Sequence, residues 1–286
     1  MKLSVMTLPL LPMPEIPGLK RDETMESRPS LREIYAEIRD AGIEFLDISS
    51  IDFQFGGEAA VLNALRETGL RCSCYLAFIA APQTSLSGNE EAVRQGMAAV
   101  DQTIRLGADV MMFVPAGYQE AVAVMSRDEL AKSFASVLRP VVEYASGRGI
   151  TVGIEDAPHR EFPMCSEAEL RYLLEAVPGL KLVFDTGNMV FAGEEPVGYY
   201  KHLAPYMVHG HLKDVEKAKD GSIAECAHGT GIVDFAGLFS QFAAHAFSGF
   251  LTIELAPDFQ TKSSVTERVS GAANYFLKLM NKEETA

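Results

Sequence analysis

The sequence predicts an α/β protein, a single (β/α)8 TIM barrel occupying residues 1–286. Three observations predict it. Short apolar stretches that read as strands alternate with longer amphipathic stretches that read as helices, at a repeat of about 30–40 residues, the size of one βα unit. Eight such units fit the 286-residue length. Several strands are apolar on both faces, as parallel strands covered by helices are. A doubly wound open sheet would want a Gly-rich phosphate-binding turn after the first strand, and none follows Leu3–Leu8.

Leu3–Leu8 reads as the first strand, and a Pro-rich polar segment from Pro9 to Pro29 follows. A loop that long is functional or mobile, and this one is expected to cover the barrel mouth and set specificity. Ser30 with Glu33 forms a capping-box signature for a helix striped by Leu31, Ile34, Tyr35 and Ile38 and ended by Gly42. Ile43–Ile48 is the second strand, with Asp47 near its end. Ala59–Thr68 is a helix stopped by Gly69, and Leu70–Ile79 a strand. Asn89 is the expected cap of a helix reaching Leu106, followed by strand Asp109–Val114. Ser126 with Glu129 opens the next helix, and Ile150–Glu155 is the fifth strand. Ser166 with Glu169 opens a helix ending near Pro178-Gly179, before strand Lys181–Asp185. A short helix from Pro196 to Leu203, strand Met207–Leu212, a helix capped by Asp234, strand Phe250–Leu255 and a helix from Lys262 to about Met280 complete the chain.

Four consecutive strands end on chemically active side chains: Glu155, Asp185, His211 and Glu254. The C-terminal strand ends of a barrel face one mouth, and neighbouring strands lie ~5 Å apart, so these groups can converge. Three carboxylates in a partly dry site repel unless some protonate or a cation joins them. One His with three carboxylates is an oxygen-rich set that suits a single divalent metal ion. Mn²⁺ is foremost, with Mg²⁺, Co²⁺ and Zn²⁺ as alternatives. A lone strand-end acid is commonly a helix cap or a surface ion pair; four in succession are much harder to explain that way.

Around this set stand candidates for substrate binding: Lys213, Asn188, His159 and His209. His209 shares the face of His211 one layer deeper, where a hydrogen-bonded core role is the better expectation. Lys213 either holds a substrate oxygen or pairs with a ligand carboxylate. Asn188 either hangs into the mouth or serves a turn. His159 and Arg160 lie on a loop, facing substrate or solvent. Asp214 orients Lys213 or caps a loop. Gly229-Thr230-Gly231 is a weak phosphate-cradle signal. His202, His228 and His245 read as peripheral.

The net charge of −14 argues against a nucleic-acid or anionic-membrane partner, both of which want a basic footprint. No apolar run is long enough to span a membrane, and Met1–Met6 reads as a strand, not a signal peptide. Four cysteines without a CxxC pair read as the packed, reduced thiols of a cytoplasmic protein; Cys72 and Cys74 are expected on one strand face. The expected partner is a small sugar or sugar-like molecule, with a homo-oligomer compatible with the reading.

The phrases Ile154-Glu155, Phe184-Asp185-Thr186-Gly187-Asn188, His209-Gly210-His211-Leu212-Lys213-Asp214, Gly229-Thr230-Gly231 with Asp234-Phe235, and Thr252-Ile253-Glu254 resemble the xylose isomerase-like barrels of the sugar phosphate isomerase/epimerase superfamily. The resemblance covers essentially the whole chain and is strongest from Gly149 to Pro257. It implies a metal held by Glu155, Asp185, His211 and Glu254, with Glu155 and Glu254 as acid/base groups on opposite faces of a bound sugar. Many members have His where this chain has Asn188. The implied activity is a divalent-metal-dependent isomerase or epimerase, working by carboxylate proton transfer through a metal-stabilised enediolate. The alternatives are an inosose-type dehydratase on the same site, a metal-dependent phosphoester hydrolase, or a non-catalytic sugar-binding barrel.

Overall fold

The computed structural model describes residues 1–11, 29–157, 162, 164–256 and 263–284. Most of the Pro9–Pro29 segment, with the covering role expected of it, lies outside the described residues. Eight parallel strands close into a barrel: β1 (Lys2–Met6), β2 (Phe45–Ser49), β3 (Arg71–Ala80), β4 (Val110–Ala116), β5 (Thr151–Glu155), β6 (Lys181–Asp185), β7 (Met207–Leu212) and, after the hairpin strands β8 (Asp214–Lys217) and β9 (Ile223–Cys226), β10 (Phe250–Ile253). Closure is direct, because Lys2–Val5 of β1 run in register with Phe250–Ile253 of β10. Helices cover the outside, chiefly α1 (Leu31–Asp40), α2 (Gly57–Thr68), α3 (Leu86–Leu106), α4 (Gln119–Val124), α5 (Arg127–Ser146), α6 (Glu167–Ala176), α7 (Asn188–Ala192), α8 (Pro196–Leu203), α9 (Phe235–Ala244) and α10 (Val265–Glu284). Among the described residues no helix is long and apolar enough to cross a membrane.

The helix starts follow capping chemistry. Ser30 and Ser126 form complete capping boxes with Glu33 and Glu129. Ser166 caps α6 by accepting from the Glu169 N–H, but no box closes there. The Glu169 carboxylate is instead bound by Arg127, 2.6 Å away. Helix α3 starts three residues before the Asn89 expected to cap it. Ser85 takes that role by accepting from the Gly88 N–H, and Asn89 reaches back from the first turn to accept from the Gln83 N–H at 2.8 Å. Helices α4 and α7 and the β8–β9 hairpin are additions to the predicted elements.

The two faces of the strands do different work. Outward residues such as Leu182 and Phe184 join the main core under the helices. Behind β6, Phe184 meets Tyr200 at 5.1 Å and Tyr200 meets Phe242 at 4.8 Å, both edge-on. Full burial of each such ring contributes about 1.5–3 kcal/mol, and it fixes which face of β6 turns inward. Inside the barrel a small apolar cluster of Met6, Cys74, Leu76, Val110, Met112 and Val183 fills one side. The other side of the lumen is polar and buried: Ser4, Asp47, Ser73, His209, His211 and Thr252. A bulge in β3 creates part of this layer. Leu46 pairs with Cys72 but Asp47 pairs with Cys74, so Ser73 is an extra residue. The bulge also corrects the expectation that Cys72 and Cys74 share a face. Cys72 packs into the core under the helices, whereas Cys74 belongs to the cluster in the lumen.

Candidate metal centre

Strand alternation and the outward anchoring of Phe184 turn Asp185 into the mouth, and the same logic turns Glu155 and His211 inward from β5 and β7. Glu254 follows β10 directly, its N–H donating to the Leu212 carbonyl at 3.1 Å. The structure brings these four side chains together: one ligand atom from each of Glu155, Asp185, His211 and Glu254 lies within 4.8 Å of all the others. His211 Nδ1 hydrogen-bonds Glu155 Oε1 and stands 3.8 Å from Glu254 Oε2. Asp185 Oδ1 accepts the N–H groups of Gly187 and Asn188 at 2.7 and 2.6 Å. Its other oxygen, Oδ2, is buried and has no hydrogen bond among the described residues. An orphaned carboxylate oxygen beside two further carboxylates and an imidazole is a donor set that fits a hard divalent cation.

Burial alone would lower the His211 pKa, but the Glu155 and Asp47 carboxylates and their hydrogen bonds hold it well above the ordinary imidazole value. Burial raises the Asp185 carboxyl; the Lys213 ammonium opposes this and Glu254 adds to it. Lys213 is the second cation of the site. Its Nζ lies 2.9 Å from Glu254 Oε1, 3.5 Å from Asp185 Oδ2 and 4.0 Å from Glu225 Oε1. It also donates to Asn188 Oδ1 at 2.9 Å. Burial opposes the charge on Lys213, but Asp185, Glu254 and Glu155 more than restore it and raise its pKa well above the usual lysine value. The stem of Lys213 crosses Gly187 so closely that a Cβ there would stand 2.8 Å from Lys213 Cγ, which accounts for the glycine.

The other candidates fall as follows. Asn188 is buried and bridges the site, its amide donating to the Asp156 carbonyl at 2.9 Å while its oxygen receives Lys213. His209 has no exposed surface and lies below the mouth, with Nε2 2.7 Å from Asp47 Oδ2 and 2.8 Å from Thr252 Oγ1. Its ring is thus hydrogen-bonded within the barrel lumen. His159, with Arg160, lies outside the described residues. Asp214 is a loop pin. Its carboxylate accepts from Val215 at 2.9 Å, Gly229 at 2.8 Å and Gly231 at 3.0 Å. The N–H groups of Gly229 and Gly231 are therefore occupied, which corrects the phosphate-cradle reading of that turn. His228 donates to the Leu212 carbonyl at 2.7 Å and packs against the Phe276 ring at 5.0 Å.

Two acids near the site carried no strong sequence signal. Asp47, on β2, accepts from both barrel histidines. Its only cue is a carboxylate within the otherwise apolar run Phe45-Leu46-Asp47-Ile48. Glu225 sits on β9, which overhangs the mouth near Lys213; burial raises its pKa despite Lys213. Asp47, Cys74 and His209 also bring polar atoms within 4.8 Å of one another. Asp47 and His209 in this trio are hydrogen-bonded to each other at 2.7 Å, and burial, with Asp47 adding, pushes the Cys74 thiol far up.

With this geometry established, the likenesses to known proteins can be placed. The sequence profile of the xylose isomerase-like TIM barrel family matches residues 35–268, and the chain belongs to that family. Within it, an inosose dehydratase of Bacillus thuringiensis (strain Al Hakam) is 28% identical over 109 residues, covering 32% of this chain and 36% of that protein. The aligned stretch thus spans about a third of the relative's length. The IOLI protein, solved with a bound zinc atom, superposes with a TM-score of 0.76 at 18% identity, covering 99% of both chains. An L-ribulose 3-epimerase gives 0.75 at 17% identity, covering 99% of this chain and 96% of that one. These two structural likenesses speak to the fold. What the family match and the geometry define together is a xylose isomerase-like TIM barrel with a candidate metal centre at its mouth.

Proposed function

We propose that the chain is a divalent-metal-dependent dehydratase that removes water from an uncharged, inosose-like polyhydroxy ketone. The observation that carries the reading is the pairing of a four-residue metal set with a buried ammonium, Lys213, 2.9 Å from Glu254. The sequence likeness to inosose dehydratases supports it. Glu155, Asp185, His211 and Glu254 would hold the ion, for which Mn²⁺ is the proposed occupant. When bound, a divalent ion supplies Lewis acidity toward a carbonyl oxygen and so acidifies the adjacent C–H.

The residues of the chain supply the rest. Glu155 and Glu254, each partly open to the mouth with side chains 20% and 15% exposed, are the proposed proton acceptors for the carbon next to the carbonyl. Lys213, held by Asn188, meets the departing β-hydroxyl and donates the proton with which it leaves as water. The products are the α,β-unsaturated ketone and water, and the proton taken by the carboxylate restores the lysine through their 2.9 Å contact or through solvent. A second reading, epimerisation, is favoured by one observation: two carboxylates border one site and could serve opposite faces of a substrate.

The test is to incubate the Mn²⁺-loaded protein with a panel of inososes and ketoses in D₂O, and to follow product by mass. Dehydration gives a product lighter by one water with enone absorbance; epimerisation gives recovered ketose carrying deuterium. Glu155→Gln and Glu254→Gln are expected to abolish turnover while leaving the fold intact. Full activity in both variants would remove the assignment.

A further inference from the structure

We propose that Asp47 is a positioning residue for the metal centre: it fixes the orientation and tautomer of His211, so that Nδ1 presents its lone pair to the mouth. The inference rests on the metal-binding reading of the preceding section but invokes a residue on the opposite side of the barrel. Asp47 has no exposed surface. Its backbone carbonyl accepts both the N–H and the hydroxyl of Thr7, each at 3.1 Å, so its main chain cannot drift. Its carboxylate is surrounded by donors, with one hydroxyl and two ring nitrogens within hydrogen-bond distance. Oδ1 accepts the Ser73 hydroxyl at 2.6 Å. Oδ2 lies 2.7 Å from His209 Nε2 and 3.1 Å from His211 Nε2. A carboxylate oxygen is an acceptor, and Oδ1 already takes the Ser73 hydroxyl, so at these distances Oδ2 takes a proton from each of those ring nitrogens. For His211 that leaves Nδ1, the atom beside Glu155 and Glu254, as the one whose lone pair would be free for a metal once its proton has gone to solvent.

The arrangement extends beyond a single contact. His209 Nε2 is also 2.8 Å from the Thr252 hydroxyl, which bonds the Ser4 hydroxyl in turn. A polar layer therefore crosses the lumen from β1 and β10 through β7 to β2 and the β3 bulge, and it meets the proposed ligand set at His211. Among the described residues His209 Nδ1 has no hydrogen-bond partner, and the ring is held from its Nε2 side by Asp47 and Thr252. Ligating histidines whose second nitrogen donates to a carboxylate bind metal more tightly, and loss of that carboxylate commonly weakens affinity about 10–100-fold.

The experiment compares Mn²⁺ affinity, read from the free-ion EPR signal, in chelator-stripped wild type, Asp47→Asn and Ser73→Ala, with thermal midpoints alongside. Asp47→Asn should bind about 10–100-fold more weakly, whereas Ser73→Ala, which touches the other carboxylate oxygen, should stay within about threefold of wild type. A folded Asp47→Asn within threefold of wild type overturns the proposal, as does equal weakening in both variants, which would mark general loosening of the lumen. If Asp47→Asn does not fold, ¹⁵N long-range correlation spectra of the Zn²⁺-loaded wild type decide. An Nε2–H tautomer for His211 supports the proposal, and an Nδ1–H tautomer overturns it. Wild type that takes up no metal removes the metal-binding reading itself, an outcome distinct from unaltered uptake in the variant.

Discussion

Replacing Lys213 by Met tests whether the ammonium and a bound ion neutralise the same carboxylates. The Lys213 side chain is 8% exposed, and its partners Glu254 and Asp185 are 15% and 0% exposed. Removing one partner of a buried ion pair costs about 3–5 kcal/mol, because the remaining charges are left uncompensated. At ~2.1 cal/mol/K per residue, unfolding this chain carries an entropy of about 0.6 kcal/mol/K, so the metal-free variant should melt about 5–8 °C below metal-free wild type. In the Mn²⁺-saturated protein the ion supplies the missing positive charge, and the gap should shrink by at least half. The assay is differential scanning calorimetry of both proteins, with chelator and with Mn²⁺. A metal-free variant that melts within about 1 °C of wild type, or a gap equal in both states, refutes the reasoning.

Three further outcomes follow from the same geometry. His211 is held protonated by Glu155 and Asp47 with its pKa raised, so a metal must displace the Nδ1 proton. Metal affinity should therefore rise with pH up to that raised pKa, by up to about tenfold per pH unit, and Mn²⁺ titrations between pH 6 and 8.5 would show a flat profile if His211 were not a ligand. Asp214→Ala removes the acceptor of four backbone donors, Val215, Gly229, Gly231 and Val233, and each left buried and unpaired costs about 1–3 kcal/mol, so chemical denaturation should show at least about 3 kcal/mol lost, with hydrogen exchange accelerated first around Gly229–Val233; a loss under 1 kcal/mol would contradict the pin. Gly187→Ala places a methyl 2.8 Å from Lys213 Cγ, so the buried stem must shift; it should lower turnover at least tenfold and cost about 1–3 kcal/mol of stability, and unchanged kinetics and stability would show that the Lys213 stem is free to move.

The barrel and the convergence of Glu155, Asp185, His211 and Glu254 were legible in the sequence for one physical reason. Each polar group ends a short apolar run, and a period of two determines which face it takes. The features that escaped depend on contacts the linear pattern does not encode. Asp47 meets His209 and His211 from more than 160 positions away, and a single acid in a strand gives no hint of them. The β3 bulge shifts pairing by one residue and separates Cys72 from Cys74, an event that alternation cannot announce. The β8–β9 hairpin that carries Glu225 is short, polar and Lys/Glu-rich, so it resembles a loop until its antiparallel register is seen. The Gly229–Gly231 turn looked like an anion cradle because its glycines are real requirements. Gly231 makes room for Asp214, whose Oδ1 would stand 2.2 Å from a Cβ there, and Gly229, at φ +81°, lies against the Tyr275 ring.

The most direct test of the account is isothermal titration of the chelator-stripped chain with Mn²⁺, run beside Asp185→Asn. The account predicts one ion per wild-type chain and at least tenfold weaker binding in the variant, whose orphaned Oδ2 is replaced or displaced. No uptake by wild type, or equal uptake by both proteins, would contradict it.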